Sequence, residues 1–310
     1  MTDEPLLSDD RSDADLDEQH DPQLGQSETA RAARAALAGV EPLPGASKPD
    51  PILIAHEVRR NFGGIAAVDV DHLEVQRGSI TALIGPNGAG KTTFFNLITG
   101  FDKPNHGRWT FDGREMDGAS PHKMAALGMV RTFQLTKSLT KLSVIENMKL
   151  GAKHQRGERW WNGLLPFLWR NQETAIEARS DELLRRFKLD QMRGEYAGAL
   201  SGGQRKLLEM ARALMTDPTL VMLDEPMAGV NPALKQSLNR HVRGLRDQGM
   251  TVLFVEHDMD MVHDISDWVI VMAEGRVIAE GTPDQISSNV DVIDAYLGAH
   301  QGQTLLEDER

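Results

Sequence analysis

The sequence predicts an α/β domain of three layers around a mostly parallel sheet. Two observations carry that prediction. Six short apolar runs of strand length alternate with helical patterns along the chain. One of these runs, 80–84, passes through a glycine-rich turn directly into a helical pattern, which is the strand–turn–helix order of such sheets. No internal repeat is present, so one unit of this kind is expected. Sheets of this class bind ligands beyond the carboxyl ends of their strands.

The elements follow in chain order. Residues 1–50 hold 12 Asp and Glu against 4 Lys and Arg, with almost no large apolar side chains. They read as a disordered acidic extension, within which Ser27 can cap a short Ala/Arg-rich helix at 27–37. Pro42, Pro44, Pro49 and Pro51 mark the boundary with the folded part. Apolar runs at 52–54, 80–84, 129–130, 220–223, 252–255 and 269–272 read as strands. Helical patterns lie at 92–99, 121–127, 173–187, 203–215 and 232–247. Ser120-Pro121 and Asn231-Pro232 each place an N-capping side chain before a proline at the first helical position.

Composition bounds the function. The 310 residues include no cysteine, which excludes disulfides and thiolate metal sites. No apolar run approaches the roughly 18–20 residues of a membrane span, and the N-terminus lacks the pattern of a secretory signal. The net charge is −12. Beyond residue 50 the chain holds 34 acidic and 30 basic side chains, with no basic stripe of the kind that binds duplex DNA. No nucleic-acid partner is expected.

Three motifs carry the chemistry. Gly85-Pro86-Asn87-Gly88-Ala89-Gly90-Lys91-Thr92 fits the phosphate-binding pattern G-x-x-x-x-G-K-[ST]. Its glycines let backbone N–H groups converge on phosphates, and the following helix N-terminus adds favourable partial charge. Lys91 is expected on the β- and γ-phosphates and Thr92 on Mg²⁺. The run Leu220-Val221-Met222-Leu223 ends in Asp224-Glu225. Asp224 is assigned to the metal and Glu225 to the attacking water. These two motifs still admit GTPases, helicases and small-molecule kinases. Leu200-Ser201-Gly202-Gly203-Gln204 discriminates among them.

With that third motif the chain resembles the ATP-binding subunits of ABC transporters, over about residues 52–300. Further family positions occur in order. Phe62, 29 residues before Lys91, stands where the family places an aromatic against adenine. Gln134 in Arg131-Thr132-Phe133-Gln134 matches the family's Q-loop glutamine, 228–231 the D-loop, and His257 the switch histidine. Asn231 departs from the Asp usual at its position. The resemblance implies a P-loop ABC ATPase core at 51–300, with an antiparallel β subdomain and an inserted α-helical subdomain at 135–200. Residues 301–310 would then be a tail.

It also implies two ATP-binding subunits facing head to tail. Gly85, Asn87, Gly88, Gly90, Lys91, Thr92 and Thr93 of one would hold the nucleotide. Ser201, Gly202, Gly203 and Gln204 of the other would close the site. Thr92, Gln134 and Asp224 would serve Mg²⁺, with Glu225, His257 and Gln134 catalytic. The implied partners are transmembrane permease subunits, a second ATP-binding subunit and, indirectly, a solute-binding protein, at the cytoplasmic face of the membrane. Arg-Thr-Phe-Gln, Ala-Gly-Val-Asn-Pro, Val-Glu-His-Asp-Met and the ending Asp294-Ala295-Tyr296-Leu297-Gly298 resemble the branched-chain amino acid importer group, more narrowly its G-type ATPase subunit. Urea or amide importers, lipopolysaccharide-type exporters and soluble non-transport ABC ATPases are the alternatives. The Trp-rich run 160–169 reads as packing on the helix 173–187, with an exposed patch as the rival.

Overall fold

The computed structural model describes residues 26–132, 139–153 and 170–296. Its centre is a six-stranded sheet. In chain order the strands are β3 (Ile80–Ile84), β6 (Met129–Arg131), β7 (Leu220–Asp224), β8 (Thr251–Val255), β9 (Trp268–Ala273) and β10 (Arg276–Gly281), and across the sheet they run β10-β9-β3-β8-β7-β6. All pair in parallel except β10, which turns back on β9. A second sheet, antiparallel and ordered β2-β1-β4-β5, is built from β1 (Pro51–Phe62), β2 (Ile65–Gln76), β4 (His106–Phe111) and β5 (Arg114–Glu115).

Period-two alternation apportions the central strands between two cores. Ile80, Ala82, Ile84, Val221, Leu223, Val252 and Phe254 point to a face covered by helices α4 (Val144–Leu150), α5 (Arg170–Arg186), α6 (Gly202–Leu214), α7 (Pro232–Asp247) and α8 (Met259–Ile265). Leu83, Leu220, Met222, Leu253, Val255 and Ile270 point to the other face. There they meet helices α2 (Lys91–Ile98) and α3 (Pro121–Leu127) and the antiparallel sheet. Burial on both faces explains why these strands read as unbroken apolar runs. On α5, Leu183, Leu184 and Phe187, just past its end, are buried against α4 and α6, and Ile176 is partly buried.

The structure corrects the reading of the N-terminal extension. Residues 26–50 are ordered and packed, not disordered. Helix α1 (Glu28–Leu37), capped by Ser27, buries Ala30, Ala33 and Leu37 along one stripe. The Ser27 N–H donates to the Asp247 carbonyl, and Arg34 pairs with Asp267 at 2.8 Å. Downstream, Lys48 and Glu280 form an ion pair at 2.7 Å whose side chains are 1% and 0% exposed. Glu280 also accepts hydrogen bonds from Trp268 Nε1 and the Gly45 N–H, and Glu74 accepts one from the Lys48 N–H. These contacts gather at the amino ends of β3, β8 and β9, so the segment straps the base of the central sheet. The calls on 1–25, on the Trp-rich run 160–169 and on 301–310 lie outside the described residues.

One packing contact makes a pH prediction. On α7, His241 stacks on Phe187 with ring centroids 4.4 Å apart. Burial, together with the Arg186, Arg240 and Lys188 charges, lowers its pKa from 6.5 to about 4. The folded protein therefore holds His241 neutral where the unfolded chain would protonate it. Its contribution is intact above pH 6.5 and is lost as pH falls from 6.5 towards 4. The loss amounts to up to about 3 kcal/mol. Urea midpoints at pH 7 and pH 4.5 should differ less for His241→Phe than for the parent chain. An equal difference would remove His241 as a source of acid sensitivity.

Candidate nucleotide and phosphate site

The parallel pairing brings the chemistry to one end of the sheet. The phosphate loop leaves the carboxyl end of β3, Asp224 and Glu225 that of β7, and Glu256 and His257 that of β8, the strand between them.

Gly90 caps α2 in the left-handed region, at φ 95°, and supplies no side-chain cap to the helix. Its first-turn N–H groups are thereby left to an anion. A side chain at Gly90 is excluded twice over, because a Cβ would lie 2.3 Å from the Ala67 carbonyl oxygen. Gly85 and Gly88 also have positive φ, and Asn87 and Gly88 are exposed at the loop's crest. The Lys91 ammonium folds back on its own loop, donating to the carbonyls of Gly85 at 2.6 Å and Pro86 at 2.9 Å. Burial lowers its pKa, and the Glu225 charge opposes that shift. Thr92 is exposed and Thr93 half-buried. The same Ala67 approach places the β1–β2 hairpin beside the loop. Phe62 stands at its tip, 49% exposed, with the Arg60 guanidinium 4.5 Å from its ring centroid.

At the end of β7, Asp224 pairs with Arg131 at 2.5 Å. Glu225 adopts φ 46°, and its N–H donates to the Val255 carbonyl at 3.0 Å. That bond extends the Asp224↔Val255 register by one residue and ties Glu225 to the start of the His257 loop. The result is a contact of 3.0 Å between His257 Nε2 and Glu225 Oε1. A carboxylate oxygen serves as the acceptor in such a contact, with Nε2 as the donor. Glu256 turns inward and is buried, accepting the Met227 N–H through Oε1. Asn231 caps α7, its side chain accepting the Leu234 N–H at 2.9 Å.

The Leu-Ser-Gly-Gly-Gln motif opens α6. Ser201 is the N-cap, and its hydroxyl and the Gln204 side chain satisfy each other's backbone N–H groups in a capping box. Gln204 therefore spends its side-chain oxygen within the turn. A Cβ on Gly203 would lie 1.7 Å from Leu234 Cδ2, so a side chain there would require the Leu234 tip to shift. Gly202 shares an open cleft of about 410 Å³ with Lys206, Asp224 and Glu225.

The structure thus brings together the phosphate loop, Lys91, Asp224, Glu225 and His257. Gln134 lies outside the described residues. Sequence reasoning assigned no role to Arg131, to Lys206, whose ammonium donates to the carbonyls of Pro226 and Ala228, or to Glu256. Their partners are distant in sequence, and no local pattern announces them.

The donor chemistry fits a magnesium ion. A hydroxyl and a carboxylate are hard oxygen ligands, and Mg²⁺ is commonly held by one or two carboxylates plus substrate phosphates. Among the described residues no group of three or more His, Asp or Glu forms a closed metal cage. Such a cage would suit a structural ion better.

Comparison with known proteins gives a consistent picture. Residues 68–228 match the family described as ABC transporter, and residues 276–301 match the branched-chain amino acid ATP-binding cassette transporter family. A probable branched-chain amino acid transport ATP-binding protein LivG of Archaeoglobus fulgidus is 40% identical over 252 residues, 81% of this chain and 97% of that protein. The high-affinity branched-chain amino acid transport ATP-binding protein BraF of Pseudomonas aeruginosa is 40% identical over 251 residues, 80% and 98% of the two chains. Among solved structures, the ADP conformation of an ATP-binding cassette of an ABC transporter superposes with a TM-score of 0.69 at 36% identity, covering 80% of this chain and 99% of the other. A nucleotide-free ATP-binding cassette superposes with a TM-score of 0.70, also at 36% identity, covering 79% and 98%.

Proposed function

The chain belongs to the ABC transporter family of ATP-binding cassettes, and on that premise we propose that it is the ATP-hydrolysing subunit that energises a membrane importer of branched-chain or related amino acids. The observation that supports this reading best is the Glu225–His257 contact at 3.0 Å. It sets a carboxylate base and an imidazole donor at the same end of the sheet as the phosphate loop. The relatives named above are branched-chain amino acid transport proteins, and they favour that substrate class over urea, amides or lipopolysaccharide.

The roles follow from the chemistry of each group. The N–H groups of the loop from Gly85 to Gly90 cradle the phosphates, and Lys91 exchanges its two carbonyl partners for phosphate oxygens. Thr92 and Asp224, with Gln134, would hold Mg²⁺, which when bound would neutralise charge on the phosphates. Glu225 orients the attacking water and takes its proton, and His257 donates towards the charge that develops there. Phe62 offers its open face to the base. Ser201, Gly202 and Gly203 present the α6 N-terminus to the nucleotide of a second ATP-binding subunit, so each site is complete only in the dimer. We assign residues 51–300 to the ATP-binding unit and 135–200 to its insertion, whose described parts include α4 and α5. Among the described residues no helix is long and apolar enough to cross a membrane. Docking to transmembrane permease subunits at the cytoplasmic face would supply the membrane connection.

The test is affinity purification of tagged Glu225→Gln protein from membranes in Mg-ATP, with partners identified by mass spectrometry. Recovery of a multi-span permease and a second ATP-binding subunit is the expected result. Recovery of soluble nucleic-acid or ribosomal proteins alone would overturn the transport reading.

A further inference from the structure

Arg131 ends β6 and Asp224 ends β7, side by side in the sheet. The Arg131 side chain is 8% exposed and that of Asp224 is 19% exposed. The guanidinium is held from several sides. Nη2 donates to Asp224 Oδ2 at 2.5 Å, Nη1 donates to Asn96 Oδ1 at 2.7 Å, and the plane lies 5.6 Å from the Phe95 ring centroid. Nη1 also reaches the Thr99 hydroxyl at 3.4 Å. Asn96 and Phe95 belong to α2, whose first turn holds Lys91 and Thr92. The guanidinium is therefore anchored on the phosphate-loop helix independently of the carboxylate that it grips.

We propose that Arg131 is a positioning residue for the metal carboxylate. It fixes Asp224 to α2, so that this carboxylate and the Thr92 hydroxyl keep a constant spacing for a divalent cation. The proposal rests on the assignment of Asp224 to Mg²⁺. Two effects of Arg131 oppose each other. Its positive charge repels an arriving cation, while its hydrogen bonds orient the ligand. The anchoring decides for orientation. The charge is already matched by Asp224 itself, whereas an Asp224 without Arg131 would be a largely buried carboxylate deprived of its hydrogen-bonding cation. A planar fork serves Asn96 and Asp224 at once, which a lysine ammonium does less well.

The experiment measures binding of a fluorescent ATP analogue to full-length variants, once with Mg²⁺ and once with EDTA. The ratio of the two affinities is the metal's contribution. Arg131→Met should cut that ratio about 10- to 100-fold, the usual effect of removing a partner that orients a metal ligand. Affinity in EDTA should stay unchanged. Asn96→Ala keeps the charge and loosens the anchor, so it should lower the ratio by less. Arg131→Lys should fall between parent and Met, and Arg131→Met with Asp224→Asn should be no worse than Asp224→Asn alone. An unchanged or increased ratio in Arg131→Met would overturn the proposal, as would equal losses with Mg²⁺ and EDTA. If Arg131→Met fails to fold, Asn96→Ala and Arg131→Lys decide the matter by the same ratio. If Asp224→Asn itself retains the full ratio, the assignment of Asp224 fails. If Asp224→Asn loses it and Arg131→Met does not, only the role of Arg131 fails.

Discussion

Glu225→Gln should bind ATP about as well as the parent chain and lose turnover by about 10²–10⁴-fold, the weight of a positioned general base. The substitution preserves shape. A glutamine oxygen can still accept from His257 Nε2, and the backbone N–H bond to Val255 does not involve the side chain. What disappears is the ability to take a proton, together with a negative charge near Lys91. Removing that charge also removes a repulsion towards the γ-phosphate, so an ATP-bound dimer should accumulate. Phosphate release under saturating Mg-ATP and size-exclusion chromatography with ATP give the two readouts. Hydrolysis at the parental rate would mean that another group activates the water.

Lys48→Met should destabilise the fold by about 3–5 kcal/mol, the cost of leaving one member of a buried ion pair alone. The melting temperature should fall by roughly 10 °C. Glu280 would keep its bonds from Trp268 and Gly45 but lose its only described cation. Lys48→Met combined with Glu280→Gln should recover much of the loss, because the charge left without compensation is then gone as well. Nucleotide affinity should hold in the folded variants, since the strap sits at the opposite end of the strands. A melting temperature equal to that of the parent would show that residues 26–50 rest on the domain without supporting it.

How legible each part was in the sequence depended on how many faces it buries. The parallel strands β3, β7, β8 and β9 are apolar on both faces, and their runs stood out. The antiparallel strands have one wet face. Only 52–54 of β1 forms an apolar run, and Asp71 and His72 interrupt that of β2. The same holds for β4, where exposed His106 and Arg108 precede the buried Trp109. Helix α1 is legible as an Ala/Arg-rich run after the Ser27 cap, but its packing on the domain is not. Its buried stripe is two alanines and a leucine, too small to register as a core-facing pattern. In the site, the glycine spacing, Asp224, Glu225 and His257 were readable as loops after apolar runs. The Glu225–His257 approach depends on the β7–β8 register, and the Arg131–Asp224 pair on the adjacency of β6 and β7 across 93 residues of chain. Neither leaves a local trace.

The first turn of α6 and the start of α7 touch through Gly203 and the tip of the Leu234 side chain. A methyl at Gly203 would oblige that tip to move. The turn capped by Ser201 and the turn capped by Asn231 are therefore neighbours in space although thirty residues of chain separate them. A second subunit that approaches one of these turns finds the other beside it.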